Sequence, residues 1–176
     1  MLDKSNAWRM LELFFKKPRY SFHLRELCRK LGWSPIKVRS VVSELKKQRL
    51  VSESREKNLV LFRSNRNSEE FKRYKRIYNI LRAYEACEVI EKKIEPDAII
   101  LFGSALRGED VEDSDFDICI VGAKERDIDF SGMEEAMNRK ISLLFVEDMA
   151  ELKKNRELLN NLINGFVLKG YLEVFD

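Results

Sequence analysis

The charge of this chain changes sign near Pro96, and this change constrains the fold more than any other feature. Residues 1–95 carry 24 Lys and Arg against 12 Asp and Glu, whereas residues 96–176 carry 9 against 18. With 176 residues and 44% hydrophobic side chains, the chain can build two small packed cores. A basic part attracts polyanions such as DNA, and clustered carboxylates attract divalent cations, so the split predicts two domains with different ligands. The alternative is that the segregated charge only aids solubility and domain docking.

The histidine and cysteine contents exclude several classes of protein. His23 is the single histidine, which excludes histidine-based nucleophile triads and multi-histidine metal centres. Cys28, Cys87 and Cys119 form no CxxC pair, so we expect reduced thiols rather than disulfides or a zinc site. Because no run of eighteen apolar residues occurs and charges interrupt the first 17 residues, we expect neither a membrane span nor a signal peptide, and a cytoplasmic protein.

The basic part begins with three segments in which apolar residues recur at helical spacing. This spacing predicts helices over residues 7–15, 22–31 and 35–48. Two short strands, over residues 50–53 and 59–62, follow around a polar turn and predict a β-hairpin. The basic part is therefore expected to order its elements as three helices and then a hairpin.

Residues 21–65, which contain these elements, resemble the winged-helix domains of prokaryotic transcription regulators. The resemblance implies a DNA-binding module whose third helix enters the major groove. The alternatives are a protein-docking module and a face of basic side chains that is merely solvated. The candidate DNA contacts lie on the outer face of the third helix and at the hairpin tip: Lys37, Arg39, Ser40, Ser43, Lys47, Arg55 and Lys57.

One long helical pattern runs over residues 68–94 and ends before Pro96. It predicts a linker helix that sets the spacing of two domains. Its exposed apolar residues could also support a homodimer, which would suit two DNA half-sites, although its heptads are too irregular for a coiled coil.

The acidic part opens with an apolar strand over residues 98–102 that runs directly into Gly103-Ser104. An acidic loop then leads to a second predicted strand over residues 116–121. Asp115 and Asp117 are two residues apart, so both carboxylates are expected to point to one face and to share metal ions. Magnesium prefers such oxygens together with nucleotide phosphates.

The pair Gly103-Ser104 followed by Asp115-Phe116-Asp117 resembles the minimal nucleotidyltransferase branch of the DNA polymerase beta superfamily. The resemblance covers residues 97–175, and a plain acidic surface loop is the alternative. It implies an α/β domain that binds magnesium and an NTP such as ATP. The expected metal ligands and catalytic residues are Asp115 and Asp117, and the expected nucleotide contacts are Gly103, Ser104, Arg107 and Ser114.

One residue departs from the family pattern. The family usually carries a third catalytic carboxylate on a later strand, and the matching position in the predicted strand over residues 139–145 is Ser142. A serine hydroxyl is neutral and a poor base, and losing that carboxylate commonly costs a factor of about a hundred or more in rate. Glu147 and Asp148 follow the strand and are candidates for a substitute, but helix-capping charge is the favoured explanation for them.

Together these patterns predict an α+β protein. Its expected parts are a winged helix at residues 1–66, a linker helix at 67–95, and a nucleotidyltransferase-like domain with a mixed sheet at 96–176, whose last helix spans 157–169. The leading hypothesis is a DNA-binding, regulator-like protein that binds NTP and magnesium with weak or lost catalysis. One alternative is an active enzyme that transfers NMP to a hydroxyl of a protein, RNA or small molecule. The other is an antitoxin-like module that binds a protein partner.

Overall fold

The computed structural model describes residues 5–57 and 59–174. Helices and strands both contribute to it, which confirms the predicted α+β class. The chain forms two compact units, Met1–Lys75 and Arg76–Asp176. Within the described ranges, none of the helices has the length and apolar character that crossing a bilayer requires.

The first unit contains three helices and a three-stranded antiparallel sheet of order β1-β3-β2. Capping side chains mark the starts of the first and third helices: the hydroxyl of Ser5 accepts a hydrogen bond from Trp8 N at 3.0 Å, and that of Ser34 accepts one from Lys37 N at 3.3 Å. The elements are α1 (Asn6–Lys16), β1 (Ser21–His23), α2 (Leu24–Leu31), α3 (Pro35–Lys47), β2 (Val51–Glu56) and β3 (Leu59–Ser64).

Strand β1 differs from the sequence prediction, which began the second helix at Phe22. Phe22 lies opposite Phe62 of β3, and its ring packs edge-on against Phe14 at 5.1 Å between centroids. Burial of Phe22 against β3 outweighs the local helical pattern. Local periodicity could not predict it, because the partner strand is distant in the sequence. The helix therefore begins two residues later than predicted.

The second unit contains a four-stranded sheet of order β6-β5-β4-β7, in which β5 and β6 are parallel and the other neighbours antiparallel. The predicted mixed sheet is thus present. Helix α4, which lies within the helical pattern predicted over residues 68–94, begins in the first unit and continues into the second. The elements are α4 (Glu69–Glu91), β4 (Ala98–Leu101), α5 (Gly103–Arg107), β5 (Phe116–Val121), α6 (Ser131–Met137), β6 (Ile141–Val146), α7 (Met149–Lys154), α8 (Arg156–Ile163) and β7 (Phe166–Gly170).

The two faces of this sheet are buried by different helices. Ile118 and Ile120 of β5 lie in one hydrophobic cluster with buried residues from the second half of α4. Cys119 and Val121, which alternate with them, lie in another cluster with Leu152 of α7 and α8 residues. A strand covered on both sides reads as a continuous apolar run, and this explains the sequence of β5.

The predicted last helix over residues 157–169 is wrong in its second half. Helix α8 ends at Ile163, and the following residues form β7, which pairs with the free edge of β4. At Gly165 a Cβ atom would press on the carbonyl oxygens of Leu162 and Leu101, so glycine permits the tight passage from helix to strand. The polar loop expected after β4 likewise contains the short helix α5.

A buried ion pair joins the acidic loop to the start of β6. Arg139 Nε donates to Asp110 Oδ2 at 2.7 Å, and both side chains are almost fully buried. The amide of Asn79 on α4 donates to Asp110 Oδ1 at 2.8 Å and to the carbonyl of Ala105 in α5 at 2.7 Å. These bonds fix the loop that leads into β5.

We expect Arg139→Met to destabilise the protein by about 3–5 kcal/mol, because it removes the guanidinium from a buried carboxylate. The measurement is urea denaturation followed by circular dichroism. The double variant Asp110→Asn, Arg139→Met should recover part of the loss, since no charge remains in the network. Arg156→Met, at an exposed arginine of α8, is the matched control. A single variant as stable as the wild type would show that the ion pair is dispensable.

Candidate functional site

The motif residues of the second unit meet at one end of its sheet. Strand β4 ends there, while β5 and β6 begin there. The antiparallel register sets Leu101 opposite Ile118, which brings Gly103 towards Asp117. The parallel register sets Ser142 directly beside Asp117.

Gly103 and Asp117 are in direct proximity. The φ angle of Gly103 is +73°, and a Cβ atom at this position would collide with Asp117 Oδ2. Phe102 N also donates to the carbonyl of Asp117 at 3.1 Å. Only glycine satisfies both the backbone angle and this close approach. The two halves of the sequence motif, 14 residues apart in the chain, therefore form one structural feature.

The electrostatics of this feature centre on Asp117. Burial raises the pKa of its carboxyl group, the neighbouring Asp115 carboxylate raises it further, and Arg107 opposes the rise. Asp115 is exposed and immediately precedes β5 rather than lying within it. Two carboxylates that repel each other, one of them partly buried, suit a divalent cation, which would remove the repulsion. In the described part of the chain, no three His, Cys, Asp or Glu side chains lie together as a metal-binding group.

The other predicted nucleotide contacts lie in α5 and in the loop after it. Ser104 is in the first turn of α5, where its carbonyl accepts a hydrogen bond from Glu109 N at 3.0 Å. The exposed Arg107 ends this helix and donates to Glu109 Oε2 at 3.0 Å. The hydroxyl of Ser114 accepts from Val111 N at 3.0 Å, which gives it a role in shaping the loop.

Ser142 shares a face of the sheet with Asp117. Along β6 its side chain alternates with Ile141 and Leu143, which pack against one cluster, and has the same direction as Leu144 and Val146 in the other. Because Cys119 and Val121 of β5 also belong to that second cluster, Asp117 and Ser142 point the same way. Ser142 is exposed.

Glu147 and Asp148 lie at the opposite end of β6, next to the end of β5. A strand rises about 3.3 Å per residue, which puts Glu147 roughly 16 Å from Ser142. Neither acid can take the place of a carboxylate beside Asp117.

Comparison with known proteins agrees with this geometry. Residues 85–168 match the family model described as Polymerase beta, Nucleotidyltransferase. The chain carries a nucleotidyltransferase-type domain. The match begins within α4 and ends within β7, and it includes the sheet end described above. No curated protein and no solved structure matches the chain.

Sequence reasoning missed the residues that support the site of this nucleotidyltransferase-type domain. In the sequence, Asp110 is one of several acids in the acidic loop, yet in the structure it is 1% exposed and bound to Arg139 and Asn79. The polar Asn79 within the helical pattern of α4 was the one available signal. Its partners lie 26 and 31 residues away in the chain, so local spacing could not reveal them.

In the first unit, the predicted DNA contacts lie on one helix and one hairpin. The opposite side of α3 is buried through Val38, Val41, Val42 and Leu45, which turns its polar face outwards. Lys57 has a left-handed φ of 54° at the turn after β2. All seven predicted contacts are exposed: Lys37, Arg39, Ser40, Ser43, Lys47, Arg55 and Lys57.

We expect Asp117→Asn to raise the free energy of unfolding at pH 8 in magnesium-free buffer. The pKa of Asp117 is higher in the folded state than in the unfolded chain, so ionisation of this carboxyl group destabilises the fold. Stability tied to the protonated carboxyl is present at low pH and is lost as the pH rises through the folded-state pKa. The advantage of the neutral amide should therefore shrink as the pH falls towards 4.

Urea denaturation of both proteins at a series of pH values measures this difference. Asp127→Asn, at an exposed acid of the same unit, is the control and should show a smaller effect. A variant that is less stable than the wild type at pH 8, or a difference independent of pH, would contradict the expectation.

Proposed function

We propose that this chain is a DNA-binding, regulator-like protein whose nucleotidyltransferase-type domain binds an NTP with magnesium and has weak or lost transferase activity. The observation that carries the proposal is the place of Ser142. Ser142 of β6 places a neutral hydroxyl beside Asp117, on the same face of the sheet. A carboxylate at this position would give the site three acids together with Asp115 and Asp117.

The nucleotide part of the proposal rests on the contact between Gly103 and Asp117. Asp115 and Asp117 would hold a magnesium ion. Burial and then the Asp115 carboxylate raise the pKa of Asp117, and such an ion would relieve the repulsion between the two acids. Bound magnesium neutralises phosphate charge and polarises the phosphoryl group. The hydroxyl of Ser104 would donate to a phosphate oxygen, and Arg107 would pair with phosphate charge.

The weak or lost activity follows from the lack of a carboxylate base at position 142. Transfer to a hydroxyl requires that its proton be removed, and the neutral oxygen of Ser142 is a poor base. Glu147 is roughly 16 Å away along β6 by strand geometry. The arrangement therefore supports binding of a nucleotide better than turnover.

Isothermal titration of the protein with each NTP, with and without magnesium, tests the nucleotide site. We expect binding that depends on magnesium and that Asp115→Asn reduces at least tenfold, because one of two anionic ligands is lost. Asp127→Asn is the matched control and should bind as the wild type does. If no NTP binds at saturating magnesium, the domain is not a nucleotide site.

A transfer assay with labelled NTP tests the role of Ser142. We expect Ser142→Asp to increase transfer of labelled NMP to protein, RNA or water by about tenfold or more, since it adds a carboxylate base beside Asp117. Ser142→Asn, neutral and of similar size to aspartate, should not. Wild-type transfer at an ordinary enzymatic rate that disappears in Asp115→Asn would instead establish an active transferase.

The DNA-binding part rests on the charge and element order of the first unit. Residues 1–75 carry 20 Lys and Arg against 8 Asp and Glu. Three helices with a small sheet and a β2–β3 hairpin follow the order of a winged helix, and the outward face of α3 bears Lys37, Arg39 and Lys47. A basic, exposed helix face suits the phosphates and base edges of the major groove.

Band shifts and fluorescence anisotropy with genomic fragments test this part. We expect an affinity that falls as salt rises, because each phosphate contact releases counterions. Arg39→Gln should weaken binding severalfold, whereas Arg156→Gln in the acidic part should not. An absence of binding at low ionic strength would overturn the DNA-binding role.

A further inference from the structure

Trp33 lies in the turn between α2 and α3 and gathers two cations. Trp33 is 9% exposed, and its backbone N–H donates to the carbonyl of Cys28 at 3.1 Å, which fixes the turn. Lys37 Nζ, one turn into α3, lies 4.4 Å from the ring centroid. The guanidinium carbon of Arg9, on α1, lies 5.4 Å from the same centroid. One aromatic ring thus brings together cations from two helices.

The contact restrains both side chains without neutralising them. An aromatic face attracts a cation through its quadrupole but carries no net charge, so the positive charge stays available to an anion. Both residues are exposed, and within the described residues no carboxylate forms an ion pair with either of them. By contrast, Lys46 of the same helix α3 is paired with the carboxylate of Glu53.

A restrained cation has an advantage in binding a polyanion. A flexible lysine or arginine loses rotamer freedom when it contacts a phosphate, and this loss weakens the contact. When a ring already restrains the side chain, less rotamer freedom is lost on binding the phosphate. The two cations over Trp33 are therefore better prepared for phosphate than an unrestrained lysine.

We propose that Trp33 is a positioning residue that holds Arg9 and Lys37 together for nucleic-acid phosphates, so that α1 joins α3 in the contact surface. This inference rests on the proposed DNA binding and deepens it. Arg9 becomes a phosphate contact that neither the helix pattern nor the resemblance indicated. Trp33 acts through the cations and does not itself touch the ligand.

The chain offers a matched control in a second contact of the same kind. Lys17 Nζ lies 5.7 Å from the centroid of the Tyr20 ring. Lys17 immediately follows the last residue of α1, eight positions after Arg9, which is roughly 12 Å along the helix axis at 1.5 Å per residue. Lys17→Gln and Arg9→Gln remove equal charge from cation–ring pairs at the two ends of one helix.

The experiment measures the dissociation constant of the full chain for a DNA duplex over a series of salt concentrations. For Arg9→Gln and for Lys37→Gln we expect a loss of about threefold to tenfold and a salt slope reduced by about one, as for a lost phosphate contact. For Trp33→Phe, whose ring attracts cations less strongly, we expect a loss of about twofold to fivefold with the slope unchanged. Lys17→Gln should resemble the wild type.

A double variant separates positioning from a general effect on the fold. In the Trp33→Phe background, Lys37→Gln should cost less than it does in the wild type, since the ring no longer prepares the lysine. Full additivity of the two losses would overturn the positioning role. Should Trp33→Phe fail to fold, Arg9→Gln still decides: wild-type affinity and slope in that variant, or an equal loss in Lys17→Gln, overturns the inference while DNA binding stands. If the wild-type chain binds no DNA, both proposals fall.

Discussion

The buried ion pair between Asp110 and Arg139 is the constraint on which the nucleotidyltransferase-type domain depends. Two charges out of water are tolerated only when each meets partners of good geometry, and Asn79 extends the network to the carbonyl of Ala105. The acidic loop therefore has one arrangement rather than many. That arrangement delivers Asp115 and Asp117 to the start of β5, beside Gly103. A network outside the sequence motif thus fixes the distances between Gly103, Asp115 and Asp117.

The site held in this way is electrostatically unfavourable for the fold itself. Burial and the Asp115 carboxylate both raise the pKa of Asp117, and the positive charge of Arg107 relieves this only in part. A fold keeps such a feature when something else offsets its cost, and a bound cation is the simplest candidate. If magnesium and a nucleotide bind as proposed, these two acids would instead contribute to stability, because a ligand that binds the folded state stabilises it.

The sequence predicted what depends on neighbouring residues and missed what depends on distant ones. The apolar residues before Gly103 and after Asp117 predicted β4 and β5, because consecutive apolar side chains show that a strand is buried on both faces. The segment after Ile163 keeps a helical spacing, so only its pairing with β4 makes it a strand. Phe22 likewise fits a helical spacing, and only its pairing with β3 makes it part of a strand. The position of Ser142 could be predicted by matching strands, but its register beside Asp117 and the distance of Glu147 required the parallel pairing of β5 and β6.

The serine at position 142 affects both the stability of the domain and the chemistry that its proposed site could perform. A third carboxylate beside Asp117 would add to the repulsion that already raises its pKa, and would further destabilise the domain when no cation is bound. Serine avoids this cost. It also leaves a bound cation with more uncompensated positive charge, which favours anionic phosphates, while it supplies no base for the acceptor hydroxyl. Binding requires a balance of charge and turnover requires a proton acceptor, and the proposed nucleotide site would meet the first requirement better than the second.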